Sequence, residues 1–393
     1  MSSQTPKILL CSGSLEGGGS ERQLWQLACG LASSALEPQV YLLNRKGVYL
    51  DKLPERIPVH DYWSEEKRTK FLPTEIHRRQ VRHLEGVIRR ERIDVLYDRT
   101  FHMTLVTAPA CRRAGIPRIS VIVSPPSRDF AQSDENFAFF KKRALKRAYA
   151  DPSSLTLAVT EEVASDAENY LQIPSGKIAV VSNPVDLESV RAAVSERCCG
   201  LPDSDVFSCV VVGRMTKEKG QRLAIEAFAR VVRSCPSLVA RLELLGDGPD
   251  RPALEKLVAK LGLAEQVQFH GFVENPYPWI SRADALILPS EYEGLPNIVL
   301  EAMTLRTAVV ATPCSNSLSR ILKGASHEFG KTGVLLQSRD AEELAESLRQ
   351  LSKAPPPELL GNAFRYVQAE HDLPAWQKRM QQMFVSQLAE GRG

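Results

Sequence analysis

The sequence predicts an α/β protein built from two separate doubly wound parallel sheets, and three observations carry that expectation. Strand-like apolar runs alternate with helix-like runs over almost the whole chain, the pattern of parallel sheets covered by crossover helices. A Gly-Leu-Pro turn at 200–202 interrupts the pattern near the middle. At 393 residues the chain exceeds one ordinary core, and about 150 residues per domain makes two the expected count.

In the first half, strands are expected at 7–11, 39–44, 95–97, 119–123, 156–159 and 178–181. Between the first two, Leu24, Leu27, Ala28 and Leu31 repeat at helical spacing. In the second half, strands are expected at 206–212, 242–245, 267–269, 285–288, 308–311 and 333–336. A helix over 187–199 and the turn after it mark the boundary. The expected organisation is a first domain over 1–186, a linker over 187–205 and a second domain over 206–372. The last segment, 373–393, is expected as a helix returning to the first domain. Ala354-Pro355-Pro356-Pro357 is expected as a stiff loop before it.

A 43% apolar and 25% charged composition is that of a soluble globular protein. With 50 basic and 47 acidic residues the charge is too balanced for a nucleic-acid footprint over the whole molecule, and no nucleic-acid partner is expected. The apolar run at 8–11 is too short for a signal peptide, and no stretch approaches the roughly 20 apolar residues of a membrane span. Eight cysteines occur without a C-x-x-C pair, which fits reduced core thiols and a cytoplasmic location; adjacent Cys198 and Cys199 have no assigned role.

Chemistry is expected where Gly-rich or charged loops join a strand to a helix. In the first such loop, Ser12-Gly13-Ser14-Leu15-Glu16-Gly17-Gly18-Gly19-Ser20, glycines let the backbone approach an anion, and helix N-terminal N–H groups favour phosphate. Ser20 with Gln23 fits a capping box. The spacing is not G-x-G-x-x-G and no acidic residue ends the second strand, which argues against a dinucleotide cofactor; a plain tight turn is the simpler alternative. In Gly213-Arg214-Met215-Thr216-Lys217-Glu218-Lys219-Gly220, two cations near a helix start can stabilise a departing diphosphate, although solvated loop cations are the ordinary reading in isolation.

The stretch ADALILPSEYEGLPNIVLEAM at 283–303 runs from buried strand to loop to helix, with Pro296 suited to a first turn. Glu293 stands at the helix entrance and Glu301 eight residues further on. Carboxylates accept from sugar and ribose hydroxyls, while Gly294, Leu295, Asn297 and Ile298 offer N–H groups without helical partners. Alone, two glutamates at this spacing are ordinarily solvated helix residues.

Together these stretches resemble the retaining nucleotide-sugar glycosyltransferases of family 4, whose hallmark is the E-x7-E pair matched by Glu293 and Glu301. The resemblance takes in GGGSER at 17–22, VSNPVD at 181–186, GRMTKEKG at 213–220, LLGDGP at 244–249, NPYPW at 275–279 and TGVLL at 332–336, strongest over 178–350. It implies the GT-B fold, two Rossmann-like domains facing across a cleft. It also implies an enzyme of polysaccharide or glycolipid biosynthesis without cofactor or metal, moving a hexose from a nucleotide diphosphate sugar to a hydroxyl of a glycan or lipid-linked acceptor with retention. On that basis Arg214 and Lys219 would meet the donor diphosphate in the loop opened by Gly213, and Glu301 the ribose. Glu293 would meet the sugar together with Gly294, Leu295, Asn297 and Ile298. Gly17, Gly18 and Gly19 would lie near the β-phosphate and the acceptor.

Relatives often carry a histidine just after the strand at 95–97; His102 is the candidate here for a sugar or acceptor contact, against the plainer reading of a surface histidine. The usual G-x-P after the E-x7-E helix becomes Arg306-Thr307-Ala308, and Arg320 replaces an acidic residue, which bears on donor choice. The D-x-D at Asp203 and Asp205 reads as a linker feature. A sugar-nucleotide epimerase or hydrolase, or a non-catalytic nucleotide-sugar-binding scaffold, are the alternatives on the same fold. Over 136–149, Phe137, Phe140, Ala144, Leu145 and Ala148 are expected on one helix face and Lys142, Arg143, Lys146 and Arg147 on the rest, interrupted by Lys141 and Phe139. Such a helix suits peripheral contact with anionic lipid at the inner face of a membrane; packing against the first domain is the alternative.

Overall fold

The computed structural model describes residues 5–65, 73–131, 138–195, 205–323, 331–353 and 357–390. They belong to two compact units, Met1–Asn183 with Pro374–Gly393, and Pro184–Leu373.

The first unit is a parallel sheet of β1 (Lys7–Ser12), β2 (Glu37–Leu42), β3 (Val59–Asp61), β4 (Val95–Arg99), β5 (Arg118–Ile122), β6 (Ser154–Ala158) and β7 (Ile178–Val180). Their order is β3-β2-β1-β4-β5-β6-β7. The central β1 and β4 are buried on both faces, which is why they read as continuous apolar runs. Edge strand β3 was not expected from sequence: its three residues include His60 and Asp61, and it forms by pairing Val59 with Val40 of β2. β2 itself begins two residues before the expected run, at Glu37, which pairs with Lys7. The first helix, Gly19–Ala32, is preceded by Gly18 as N-cap with no side-chain cap bond, so the expected Ser20–Gln23 capping box is not formed. Helix Leu373–Glu390 packs on this unit: Gln377 donates to the Gln26 carbonyl at 2.9 Å, and buried Phe384 meets Tyr97 edge-on.

The second unit is a parallel sheet of β8 (Phe207–Val212), β9 (Ala240–Leu245), β10 (Val267–Gly271), β11 (Ala285–Leu288), β12 (Ala308–Ala311) and β13 (Val334–Leu335), ordered β10-β9-β8-β11-β12-β13. Alternate residues serve two cores. Cys209, Val211, Ala285 and Ile287 join helices Gln221–Ser234 and Ala341–Leu351 on one face. Val210, Leu286 and Leu288 join helix Asn297–Thr304 and its neighbours on the other. The first part of the segment expected as a linker also lies here: Val190, on helix Leu187–Ala192, is buried in that second core, and Asn275 donates to the Ala193 carbonyl at 2.8 Å. Cys198, Cys199, Asp203 and Ala354 to Pro356 lie outside the described residues.

The departure at Arg306 has a local cause and cost. Helix Asn297–Thr304 ends in a Schellman turn, with the Arg306 N–H on the Met303 carbonyl and the Thr307 N–H on the Ala302 carbonyl. Arg306 is left-handed at φ 59°, a conformation glycine adopts at about 1 kcal/mol less, and its guanidinium lies 5.0 Å from the Phe364 ring centre.

Candidate functional site

Ligands of open α/β sheets bind beyond the carboxyl ends of the strands, where strand order reverses. In the second unit this point lies between β8 and β11, whose loops are 213–220 and 289–296. Close backbone approaches brace both loops. A Cβ on Gly246 would sit 2.0 Å from the Gly213 oxygen, and one on Gly248 2.4 Å from the Met215 oxygen. The glycines of LLGDGP therefore let loop 246–250 dock on loop 213–216, where Met215 N–H donates to the Asp247 carbonyl at 2.9 Å. The buried Gln221 amide donates to the Arg214 carbonyl at 2.8 Å. Loop 213–220 lies between β8 and helix Gln221–Ser234, as expected; within it Lys217–Lys219 forms a single 3-10 turn, and Gly220 ends that turn at φ 70°. A Cβ on Gly220 would meet the Pro289 oxygen at 2.1 Å, and Glu291 N–H donates to the Glu218 carbonyl at 2.7 Å, so the two loops lie against each other.

That docking brings together residues 74 apart in sequence. The Lys219 ammonium lies 2.6 Å from Glu293 Oε1, and the buried Ser290 hydroxyl donates to the same oxygen at 2.9 Å. Ser290 was missed by sequence reasoning. The exposed Arg214 guanidinium makes no hydrogen bond or ion pair among the described residues. Its charge is felt by Glu218: burial raises that carboxyl, but the Thr216 hydroxyl, the backbone N–H, Lys219 and Arg214 together hold it below the usual range. Gly294 and Leu295 are buried, Asn297 and Ile298 open the helix, and Glu301 is 3% exposed on it among apolar neighbours. Burial, and then the Glu293 charge, push the Cys314 thiol up to about 12.

The first unit reverses strand order between β1 and β4. Gly17 is left-handed at φ 130° and Gly18 and Gly19 are exposed. The loop is anchored by Leu15 N–H to the Lys46 carbonyl at 2.9 Å, an approach only Gly47 permits, since a Cβ there would fall 2.0 Å from the Leu15 backbone. At the end of β4, fully buried Asp98 accepts from the hydroxyls of Thr104, Thr107 and Ser120 at 2.6, 2.7 and 2.8 Å. Thr100, two residues on, is held at φ 77°, ψ 146°, and His102 is exposed in the first turn of helix Phe101–Ala114. No residue-type signal marked Thr100; it shows only as backbone strain at a switch point.

On the same unit, helix Ala138–Tyr149 buries Leu145, Ala148 and Tyr149, while Phe139 and Phe140 are 70% and 67% exposed. Phe140 is therefore not on the packed face where the spacing put it. Phe139, Lys142, Arg143, Lys146 and Arg147 line a surface groove of about 440 Å³. Among the described residues no helix is long and apolar enough to cross a membrane.

Two Rossmann-like sheets with this topology define the GT-B class. The fold of Anabaena Alr3699/HepE, solved with UDP and glucose, superposes with a TM-score of 0.79 at 20% identity, over 97% of this chain and 100% of that one. Residues 207–354 match the family described as Glycosyl transferases group 1, and 17–189 match Glycosyltransferase Family 4. The chain belongs to these GT-B glycosyltransferases. It is 30% identical over 227 residues to the alpha-D-kanosaminyltransferase of Streptomyces kanamyceticus, covering 55% of this chain and 54% of that protein. It is 28% identical over 188 residues to the N-acetylgalactosamine-N,N'-diacetylbacillosaminyl-diphospho-undecaprenol 4-alpha-N-acetylgalactosaminyltransferase of Campylobacter jejuni, covering 47% of each. The chain spans about half the length of the curated relatives it matches.

Proposed function

We propose that the protein transfers a hexose from a nucleotide diphosphate sugar to an acceptor hydroxyl, with retained anomeric configuration and without metal. The observation that carries this reading is a guanidinium, Arg214, without an ion-pair partner among the described residues, in the same loop as a Lys219–Glu293 ion pair, at the switch point of the second sheet. Arg214 and Lys219 receive the diphosphate as negative charge develops on it. Glu293 Oε2, which accepts no hydrogen bond among the described residues, takes a sugar hydroxyl, and the N–H groups of the following residues assist. Glu301, 3% exposed on the helix that follows the loop, holds the ribose diol. Gly17, Gly18 and Gly19, in the first unit, are assigned to the donor β-phosphate and the acceptor, and His102 to a sugar or acceptor contact.

The anomeric C–O bond to the β-phosphate breaks, and its electron pair leaves with the diphosphate. The acceptor oxygen bonds the anomeric carbon from the same face, and its proton passes to a β-phosphate oxygen. No protein nucleophile takes part. NMR of the product formed with chelator present tests the reading: retained configuration and undiminished rate are expected, and an inverted product, or activity that only divalent metal restores, contradicts it.

The acceptor is a glycan or lipid-linked hydroxyl, as the name of the Campylobacter relative suggests. Peripheral contact with anionic lipid is supported by Phe139 and Phe140 standing out of a helix that carries Lys142, Arg143, Lys146 and Arg147. Each basic residue would add about 1 kcal/mol near such a surface. Greater cosedimentation with anionic than with neutral liposomes is expected; equal sedimentation removes this part.

A further inference from the structure

We infer that Glu293 makes the site discriminate the intact donor from the spent nucleoside diphosphate, by holding Lys219 against phosphate whenever no sugar is present. The inference rests on the proposed assignment of Arg214 and Lys219 to the donor diphosphate, and deepens it. Arg214 and Lys219, two of the three cations of loop 213–220, are in opposite states. Arg214 is exposed and has no ion-pair partner among the described residues, whereas Lys219 is partly buried, with 28% side-chain exposure, and held at 2.6 Å by a carboxylate with 13%. An entering diphosphate therefore meets Arg214 at once but competes with Glu293 for Lys219, and takes the ammonium fully only by displacing the carboxylate.

The cost of that displacement depends on whether a sugar is attached. With a nucleoside diphosphate alone, displaced Glu293 keeps only the Ser290 hydroxyl on Oε1 and sits as a largely desolvated anion near phosphate, which is doubly unfavourable. With the intact donor, sugar hydroxyls donate to Glu293 as Lys219 turns to the phosphate, so the carboxylate regains the hydrogen bonds it loses. Breaking the pair is offset for the substrate and not for the product. Glu293 thus weakens product binding and speeds its release, a task separate from grasping the sugar. If Glu293 served the sugar alone, removing its charge would leave nucleoside diphosphate affinity unchanged.

The test is calorimetric titration of UDP, GDP and ADP, and of UDP-glucose, GDP-mannose and ADP-glucose, into wild-type protein, Glu293→Gln, Glu293→Asp and Arg214→Ala. For the nucleotide that wild type binds, Glu293→Gln is expected to bind the diphosphate about 5- to 10-fold tighter and its nucleotide sugar no tighter. Glu293→Asp, which stretches the pair but keeps the charge, should move the same way by about 2-fold, and it keeps the test open if the glutamine variant does not fold. Diphosphate affinity unchanged or weakened in the folded variants, with binding still lost in Arg214→Ala, overturns this inference alone. Failure of every nucleotide to bind wild type overturns the proposed function as well.

Discussion

The two sheets reverse strand order in the same way, yet their switch points are built differently. In the second unit, loops 213–220 and 289–296 are braced by backbone approaches that only glycine allows, at Gly220, Gly246 and Gly248, and they carry Arg214, Lys219 and Glu293. The first unit's first loop is braced in the same way at Gly47, but its switch-point loops carry few charges of their own; the β4 end is held from below by Asp98 and three hydroxyls and keeps one strained residue, Thr100. Bracing loops that carry fixed charges suits a diphosphate, whose geometry is constant. A loop with little charge, held at its base, suits a neutral hydroxylic partner. The difference fits the proposed function, in which the second unit takes the donor and the first the acceptor.

The sharpest way to break this contrast is to remove the charges. Arg214→Ala and Lys219→Ala are each expected to lower turnover about 100- to 1000-fold, or about 3 to 4 kcal/mol, with the double variant costing less than the sum because both meet one diphosphate. Wild-type turnover in both single variants would reduce the loop to a solvated basic turn. Glu301→Ala should weaken donor affinity as well as turnover, since under the proposed function it would contact a part of the donor remote from the reacting bond.

Bracing can be broken separately from charge. Gly220→Ala combines a left-handed backbone with a Cβ 2.1 Å from the Pro289 oxygen, and should cost about 2 to 3 kcal/mol in thermal unfolding. Gly13→Ala, where a Cβ meets nothing within 4 Å, should change stability by less than about 0.5 kcal/mol. Equal losses at the two glycines would erase the distinction between the loops.

In the first unit, Thr100→Gly should raise stability by about 1 kcal/mol by relieving φ 77°, while lowering turnover if the strain serves the site. A gain in both would show the strain to be idle.

The smallest effect is electrostatic. The Glu218 carboxyl is held below its unfolded value, so its contribution is complete above the ordinary carboxylate range and is lost as pH falls through the lowered folded value. Glu218→Gln should flatten the acid side of a melting-temperature profile; an unchanged profile would mean that Arg214 and Lys219 do not share its environment.

Legibility in the sequence differs from feature to feature, according to what each one depends on. Central strands such as β1, β8 and β11 are buried on both faces and announce themselves as apolar runs, whereas β3 exists only because β2 offers it an edge. Arg214, Lys219, Glu293 and Glu301 were legible through the resemblance to the family's motifs, since residue type and spacing alone read them as solvated. Their arrangement was not, because the Lys219–Glu293 pair depends on Gly220 admitting the Pro289 backbone, a contact with no periodic signature. Phe140 fell on the wrong face because Leu145, Ala148 and Tyr149 set the buried stripe of that helix, and the aromatic spacing alone could not rank them.

Hydrogen–deuterium exchange of the intact protein, with and without a nucleotide sugar that binds it, tests the donor assignment most directly. Slower exchange is expected in peptides spanning 213–220 and 290–304. Protection confined to 13–20 and 99–104, with the second unit's loops unchanged by a bound donor, would contradict it.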